Sequence, residues 1–256
     1  MYRKEDYIAV FDSGVGGISV LRELVALMPQ ENYLYFGDSA NAPYGSKSTE
    51  QVRQLTLDAA RQLIDRGAKA LVVACNTATS AAIDLLRSTY PDLVIVGIEP
   101  ALKVAADRFP QGCIGVMATE VTLREEKFQN QTERFSQAEI IPIPAPGLVD
   151  LIESGKADSP ETEQLLRTLL GEYVGKLDAL VLGCTHYPFV SGTVARIMGD
   201  RTQLMDGGAG TARQTQRCLE NAGLLHDGPG SVTFESSSND GRLLTLSKEL
   251  LVHGGV

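Results

Sequence analysis

Leu71-Val-Val-Ala-Cys75-Asn-Thr77 and Leu180-Val-Leu-Gly-Cys184-Thr-His186 decide the fold. Each is an aliphatic, partly β-branched run that ends on a cysteine, a polar pair and then a helix or turn. A short continuous apolar run bounded in this way reads as a strand buried on both faces, the condition of a parallel sheet covered by crossover helices. A second pair recurs at nearly the same separation: Ile8-Ala-Val-Phe-Asp-Ser13 is echoed by Ile114-Gly-Val-Met-Ala-Thr119. Such an internal repeat implies an α/β fold of two pseudo-symmetric α/β domains with mostly parallel central sheets.

Outward from these runs, the same pattern predicts strands at Tyr7–Phe11, Asn32–Gly37, Ala70–Ala74, Leu93–Gly97, Cys113–Met117, Glu139–Ile143, Ala179–Gly183 and Gln203–Asp206. Amphipathic spacing predicts helices at Gly17–Met28, Ser48–Arg66, Ala78–Thr89, Ala101–Arg108, Thr119–Gln129, Gly147–Glu153, Pro160–Leu177, Val190–Gly199 and Ala209–Ala222. Gly97-Ile-Glu-Pro100 suits a first crossing between domains and Asp206-Gly-Gly-Ala-Gly210 a return. The expected domains are therefore 1–97 with 208–256, and 98–207. The segment around Ser231–Phe234 is expected to rejoin the first.

Composition narrows the classes of function. Of 256 residues, 43% are hydrophobic and 21% charged, with a mean hydropathy near zero, the profile of a folded chain in water. No apolar run reaches the roughly 20 residues of a transmembrane helix, and Met-Tyr-Arg-Lys-Glu-Asp leads into a strand rather than a signal sequence. A cytoplasmic location is expected. The formal charge of −9 comes with no cluster of Lys and Arg, which argues against nucleic acid or an anionic membrane as partner and for a small molecule. The four cysteines, Cys75, Cys113, Cys184 and Cys218, include no Cys-x-x-Cys pair, so free thiols are expected rather than a disulfide framework or a metal site.

Cys75 and Cys184 are the candidates to carry the chemistry. In open α/β sheets ligands bind at the carboxyl ends of the strands, and a helix N-terminus beside a thiol favours the thiolate. A single buried cysteine is commonly an inert core residue; two in equivalent frames of a repeat are harder to dismiss. Inverting a carbon centre takes a base on one face and an acid on the other, and a pseudo-symmetric pair of thiols supplies both. Asn76, Thr77, Thr185 and His186 place donors beside the sulfurs, and Asp12 and Ser13 close the first strand. Gly14, Gly16 and Gly17 let the backbone approach an anion at a helix start. Simpler roles compete: helix caps for Ser13 and Asp12, a solvated helix end for Glu153, a structural histidine for His186. Adjacency to Cys184 favours a functional His186.

Phe11-Asp-Ser-Gly-Val-Gly-Gly17, Gly37-Asp-Ser-Ala-Asn-Ala-Pro-Tyr-Gly45, Ala74-Cys-Asn-Thr-Ala78, Ile98-Glu-Pro100 and Leu182-Gly-Cys-Thr-His-Tyr-Pro188 occur in this order. Together they resemble the signature blocks of the glutamate racemases, within the aspartate/glutamate racemase superfamily. The resemblance implies two α/β domains with the active site between them, no cofactor, a homodimer, and D-glutamate made for peptidoglycan. It implies Cys75 and Cys184 as catalytic thiols. Asp12, Ser13, Tyr44, Gly45, Asn76, Thr77, Thr185 and His186 would bind or orient substrate, with Thr119 and Glu153 as further candidates, and Pro43 would fix the approach of Tyr44 and Gly45. The chain departs from the family pattern at Asp206-Gly-Gly208 and at Phe234-Glu-Ser-Ser-Ser-Asn239, and Pro144–Asp150 lacks a cysteine found in some relatives.

Other classes fit less of the chain. A nucleotide-binding turn would need Gly-Lys-Ser/Thr, or glycine where Ser19 stands. A cysteine hydrolase built on Cys184 and His186 leaves Cys75 and the repeat without a role. A racemase acting on aspartate or a hydantoin uses the same thiols and stays open on this reading.

Overall fold

The computed structural model describes residues 2–124, 126–238 and 241–253. The chain divides into two compact units, one built from the chain up to Glu99 together with Gly208–Val252, the other from Pro100–Gly207 with His253 among the described residues. The strands are β1 Ile8–Asp12, β2 Asn32–Gly37, β3 Ala70–Val73, β4 Val94–Gly97, β5 Cys113–Ala118, β6 Glu139–Pro144, β7 Ala179–Leu182, β8 Gln203–Met205 and β9 Ser231–Ser236. The helices are α1 Ile18–Leu27, α2 Thr49–Asp65, α3 Asn76–Thr89, α4 Ala101–Arg108, α5 Glu120–Arg124, α6 Glu126–Arg134, α7 Leu148–Glu153, α8 Pro160–Leu170, α9 Ser191–Met198, α10 Gly208–Ala222 and α11 Gly241–His253.

The first unit holds a sheet in the order β4-β3-β1-β2-β9, the second a sheet in the order β6-β5-β7-β8. Every pairing is parallel. Reversing the second list gives 8-7-5-6 against 4-3-1-2, so the two units share one strand order and differ by the added β9. In each, the chain leaves the central strand in one direction and returns on its other side. This makes a topological switch point, between β1 and β3 in one unit and between β5 and β7 in the other, the place where such sheets leave a crevice. Strands β1, β3 and β7 are buried along their whole length, as continuous apolar runs in covered parallel sheets must be.

Elements differ from expectation at three places. The segment expected as one helix at Thr119–Gln129 holds α5 and α6 and reaches Arg134, with Glu125 outside the described residues. The helix expected to Leu177 ends at Leu170, followed by a 3-10 turn at Gly171–Tyr173 and by Gly175 at φ 75°. Leu177, fully buried, belongs to the entry of β7; its apolarity mimics one more helical turn. Strand β9 and helix α11 are not placed by the sequence pattern. The last residues of the expected first domain, 254–256, lie outside the described residues, as does Asn239 of the departing run.

The amino end of the first sheet is tied by a buried ion pair. Lys69, just before β3, and Glu31, just before β2, are wholly buried with Nζ and Oε2 at 2.6 Å. Lys69 Nζ also donates to the carbonyls of Lys4 and Leu224, and Glu31 Oε1 accepts from the His226 N–H at 2.8 Å. One lysine thus joins the N-terminal segment, two strands and the chain beyond α10.

The second sheet has a proline-guarded edge. In a parallel ladder alternate residues direct their N–H to the same neighbour. Glu139 and Ala145 donate to the carbonyls of Gly112 and Ala118 on the β5 side, so Pro142 and Pro144 of β6 fall on the outward side. Proline has no N–H to offer there. The equivalent strand of the first unit, β2, instead pairs with β9.

Candidate active site

In the first unit, β1 and β3 end side by side, and the candidate residues gather on their carboxyl ends. Cys75 is the N-cap of α3, a position usually held by Ser, Thr, Asp or Asn; its sulfur accepts from the Ala78 N–H at 3.5 Å. The thiol is 6% exposed and donates to Ser13 Oγ at 3.6 Å. At a helix N-terminus the converging N–H dipoles stabilise negative charge on that sulfur. Asn76 and Thr77 are the first two residues of α3, half-buried beside it.

Asp12 closes β1 fully buried, with Oδ1 accepting from the Gly14 N–H at 2.9 Å. The glycine turn that follows is packed without slack: a Cβ on Gly17 would lie 2.6 Å from Asp12 Cβ and 3.0 Å from Ala74 Cβ. The buried Tyr35 hydroxyl donates to the Gly14 carbonyl at 2.6 Å, fixing the turn from beneath.

Tyr44 is 1% exposed, its ring 6.2 Å from that of Phe11. Its hydroxyl donates to Asp38 Oδ2 at 2.6 Å, and Asn41 Nδ2 donates to the same carboxylate at 3.0 and 3.1 Å. Burial first, then the bond to Asp38, push the phenol well above its ordinary value, so Tyr44 remains a donor. The Asp38 carboxylate therefore holds the 3-10 turn Tyr44–Ser46, Gly45 included, after the cis Ala42–Pro43 bond. Asp38 lies inside one of the family-like blocks but is not among the residues expected to act. Its position just after β2, next to the switch-point strand, is the signal that could have found it. Tyr44→Phe removes a bond to a buried carboxylate and is expected to destabilise the first unit by about 1.5–3 kcal/mol, read as a lowered denaturant midpoint at unchanged slope.

In the second unit, Cys184 follows β7 in the frame that Cys75 holds after β3. Its sulfur lies 3.6 Å from His186 Nδ1, and His186 Nε2 lies 3.0 Å from Glu153 Oε1. The imidazole side chain is 6% exposed and the carboxylate 27%. Sulfur, imidazole and carboxylate thus form a line in which Glu153, at the end of α7, orients the ring that faces the thiol. Thr185 is buried between them in sequence. Thr119, after β5, accepts from the Thr122 N–H at 3.3 Å and meets Thr122 Oγ1 at 2.9 Å, the behaviour of a cap on α5.

A family profile described as Asp/Glu/Hydantoin racemase matches residues 10–215. A glutamate racemase of Clostridium botulinum is 46% identical over 255 residues, 98% of this chain and 99% of that protein. This chain belongs to the glutamate racemase family. Among solved members, the glutamate racemase of Thermus thermophilus in complex with β-chloro-D-alanine superposes with a TM-score of 0.84 at 35% identity, over 97% of this chain and 94% of that one. The Escherichia coli glutamate racemase, solved with L-glutamate and the activator UDP-MurNAc-ala, gives 0.86 at 28% identity over 98% and 96%. The family fold is thus the two-unit α/β arrangement described above, carried over nearly the whole chain.

Proposed function

We propose that this chain interconverts L- and D-glutamate, with Cys75 and Cys184 as opposed acid and base. The observation that carries the reading is the recurrence of a cysteine at the carboxyl end of the third strand of each parallel sheet, each with its own polar partner: Ser13 and the α3 N-terminus for Cys75, His186 backed by Glu153 for Cys184. One sulfur begins as thiolate and removes the α-proton; the other begins as thiol and returns a proton to the opposite face, and the roles exchange with the enantiomer. The reading needs no cofactor, and it requires the two sulfurs to meet one substrate from opposite sides.

In this mechanism Asp12, Ser13, Tyr44, Gly45, Asn76, Thr77, Thr185 and His186 bind and orient glutamate, with Thr119 and Glu153 in support. Donors near the substrate carboxylate stabilise the charge that develops as the α-proton leaves. Glutamate is favoured as substrate because relatives of close to half identity over nearly full length carry that name. By the same kinship the product feeds peptidoglycan synthesis, in the cytoplasm and from a homodimer, which light scattering on the purified protein checks. Among the described residues no helix is long and apolar enough to cross a membrane.

The test is the circular-dichroism signal of L-glutamate incubated with purified protein and no added cofactor, with L-aspartate in parallel. Loss of signal with glutamate alone is the expected result. Loss with aspartate alone would keep the thiol chemistry and overturn the substrate, and no loss with either would overturn the reading.

A further inference from the structure

Thr79 lies one turn into α3, and its polar groups reach back over Ala74 and Cys75, the residues that join β3 to that helix. Its N–H donates to the Cys75 carbonyl at 2.9 Å, and its hydroxyl donates to the Val73 carbonyl at 2.9 Å. The same oxygen accepts from the Ile98 N–H at 3.4 Å. Other helical threonines show the usual behaviour: Thr56, Thr89 and Thr215 donate to a carbonyl one turn back in their own helices. The Thr79 methyl has its own place, because a Cβ on Gly97, at the end of β4, would lie 2.6 Å from Thr79 Cγ2.

We propose that Thr79 is a positioning residue for Cys75, holding the carbonyls on both sides of the Ala74–Cys75 turn and so fixing where the sulfur points. The proposal rests on the reading of Cys75 as an acid and base. Each residue of a turn has two soft dihedrals, and these set the direction in which its side chain leaves the backbone. The Ala74 N–H is held by the Phe11 carbonyl at 2.8 Å; beyond it, Thr79 closes the path from strand to helix. The sulfur's own contacts are long, 3.5 Å from the Ala78 N–H and 3.6 Å to Ser13 Oγ. A small shift of the turn therefore weakens the Ala78 bond, the one that favours negative charge on the sulfur.

The second unit lacks this device. Pro188 stands as far beyond Cys184 as Thr79 does beyond Cys75, and proline has neither an N–H nor a hydroxyl to offer. There the Cys184 carbonyl accepts from the Tyr187 N–H at 3.0 Å, opening the 3-10 turn Tyr187–Val190 in place of an α-helix. His186, backed by Glu153, faces that thiol from the side. The two sulfurs are thus aimed by different means, one by the backbone behind it and the other by side chains beside it, and a substitution at Thr79 acts on Cys75 alone.

The experiment follows alkylation of each cysteine by iodoacetamide against pH, read by peptide mass spectrometry, in the wild type, Thr79→Val and Thr79→Ser. Valine keeps the methyl and removes the hydroxyl; serine does the reverse. The Val73 carbonyl retains its bond from the Ile98 N–H at 3.0 Å, so Thr79→Val strands no acceptor, and its melting temperature should fall by about 2–4 °C. Should it not fold, Thr79→Ala takes its place with the same midpoint expected. The midpoint of Cys75 labelling is expected to move up by about one pH unit in Thr79→Val, the weight of a weakened bond to a charged group, and to stay in place in Thr79→Ser. Access alters the plateau of such a profile, not its midpoint. Ser13 and the ionisable Asp12 and Tyr44, which share this end of the sheet with the sulfur, are the same in every variant. Cys184 should keep its midpoint throughout, and turnover of glutamate should fall about tenfold in Thr79→Val and recover in Thr79→Ser. An unmoved Cys75 midpoint in Thr79→Val, an equal move in Thr79→Ser, or a matching move at Cys184 would each overturn the proposal. Labelling needs no substrate, so these outcomes are separate from a wild type that fails to racemise glutamate.

Discussion

Cys75→Ser and Cys184→Ser are each expected to reduce racemisation of glutamate by about 10²–10⁴-fold, the usual weight of one positioned acid or base. The substitution keeps the shape of the side chain and a donor, but a serine hydroxyl holds its proton far more tightly than a thiol. In Cys75→Ser the new hydroxyl would still cap α3, so the fold should be untouched. The two losses should not add: once one face is disabled, the full reaction is already blocked, and the double variant is expected to be hardly slower than either single one.

A half-reaction separates this mechanism from a one-cysteine alternative. An amino-acid analogue with a leaving group on Cβ needs a proton taken from one face only, after which the leaving group departs. Each serine variant should therefore still eliminate from one enantiomer of the analogue, and the two variants should prefer opposite enantiomers. The same enantiomer preferred by both, or near wild-type racemisation by both, would rule out opposed thiols.

Lys69→Met is expected to have the largest effect on stability. Removing one partner of a buried pair leaves the other charge without compensation, at about 3–5 kcal/mol. For a chain of this size that corresponds to a melting temperature lower by about 6–20 °C. Glu31 would keep the His226 N–H but lose its counter-charge. Adding Glu31→Gln retains an acceptor for that N–H while removing the stranded charge, so the double variant should recover more than half of the loss. Because the pair lies at the amino ends of β2 and β3 and the thiol at a carboxyl end, turnover by the folded fraction at 25 °C should be near wild type. A double variant as unstable as the single one would show that packing of the lysine stem, not charge, sets the cost.

The succession of strands along the chain and the place of the two sulfurs after β3 and β7 were legible because they depend on local, strongly patterned signals. Val72 and Val181 lie in runs that have few alternatives to a buried strand, and Cys75 and Cys184 follow them directly. The pairing of β9 with β2 was not legible. Ser231–Ser236 alternates small polar residues with Val232 and Phe234, as an edge strand does, and nothing local says which strand it meets across about 200 residues of chain. Contacts between side chains were still less accessible. Only the fold shows Asp38 holding Tyr44. Leu177 misled in the other direction, because one buried leucine ahead of a strand looks like a further turn of helix.

The prolines of β6 bear on how a duplicated fold becomes two different halves. β2 and β6 hold corresponding places in their sheets, yet one is completed by a late segment of chain and the other ends the sheet. Had β6 kept a full row of outward donors, it would have offered the returning strand a second edge of the kind that β2 provides. With Pro142 and Pro144 turned outward, Ile140 is the one residue between Glu139 and Pro144 that presents an N–H to that edge. The two prolines thus make the β6 edge of the second sheet a poor template for the returning strand or for any foreign one, whereas the matching β2 edge is the one that β9 completes.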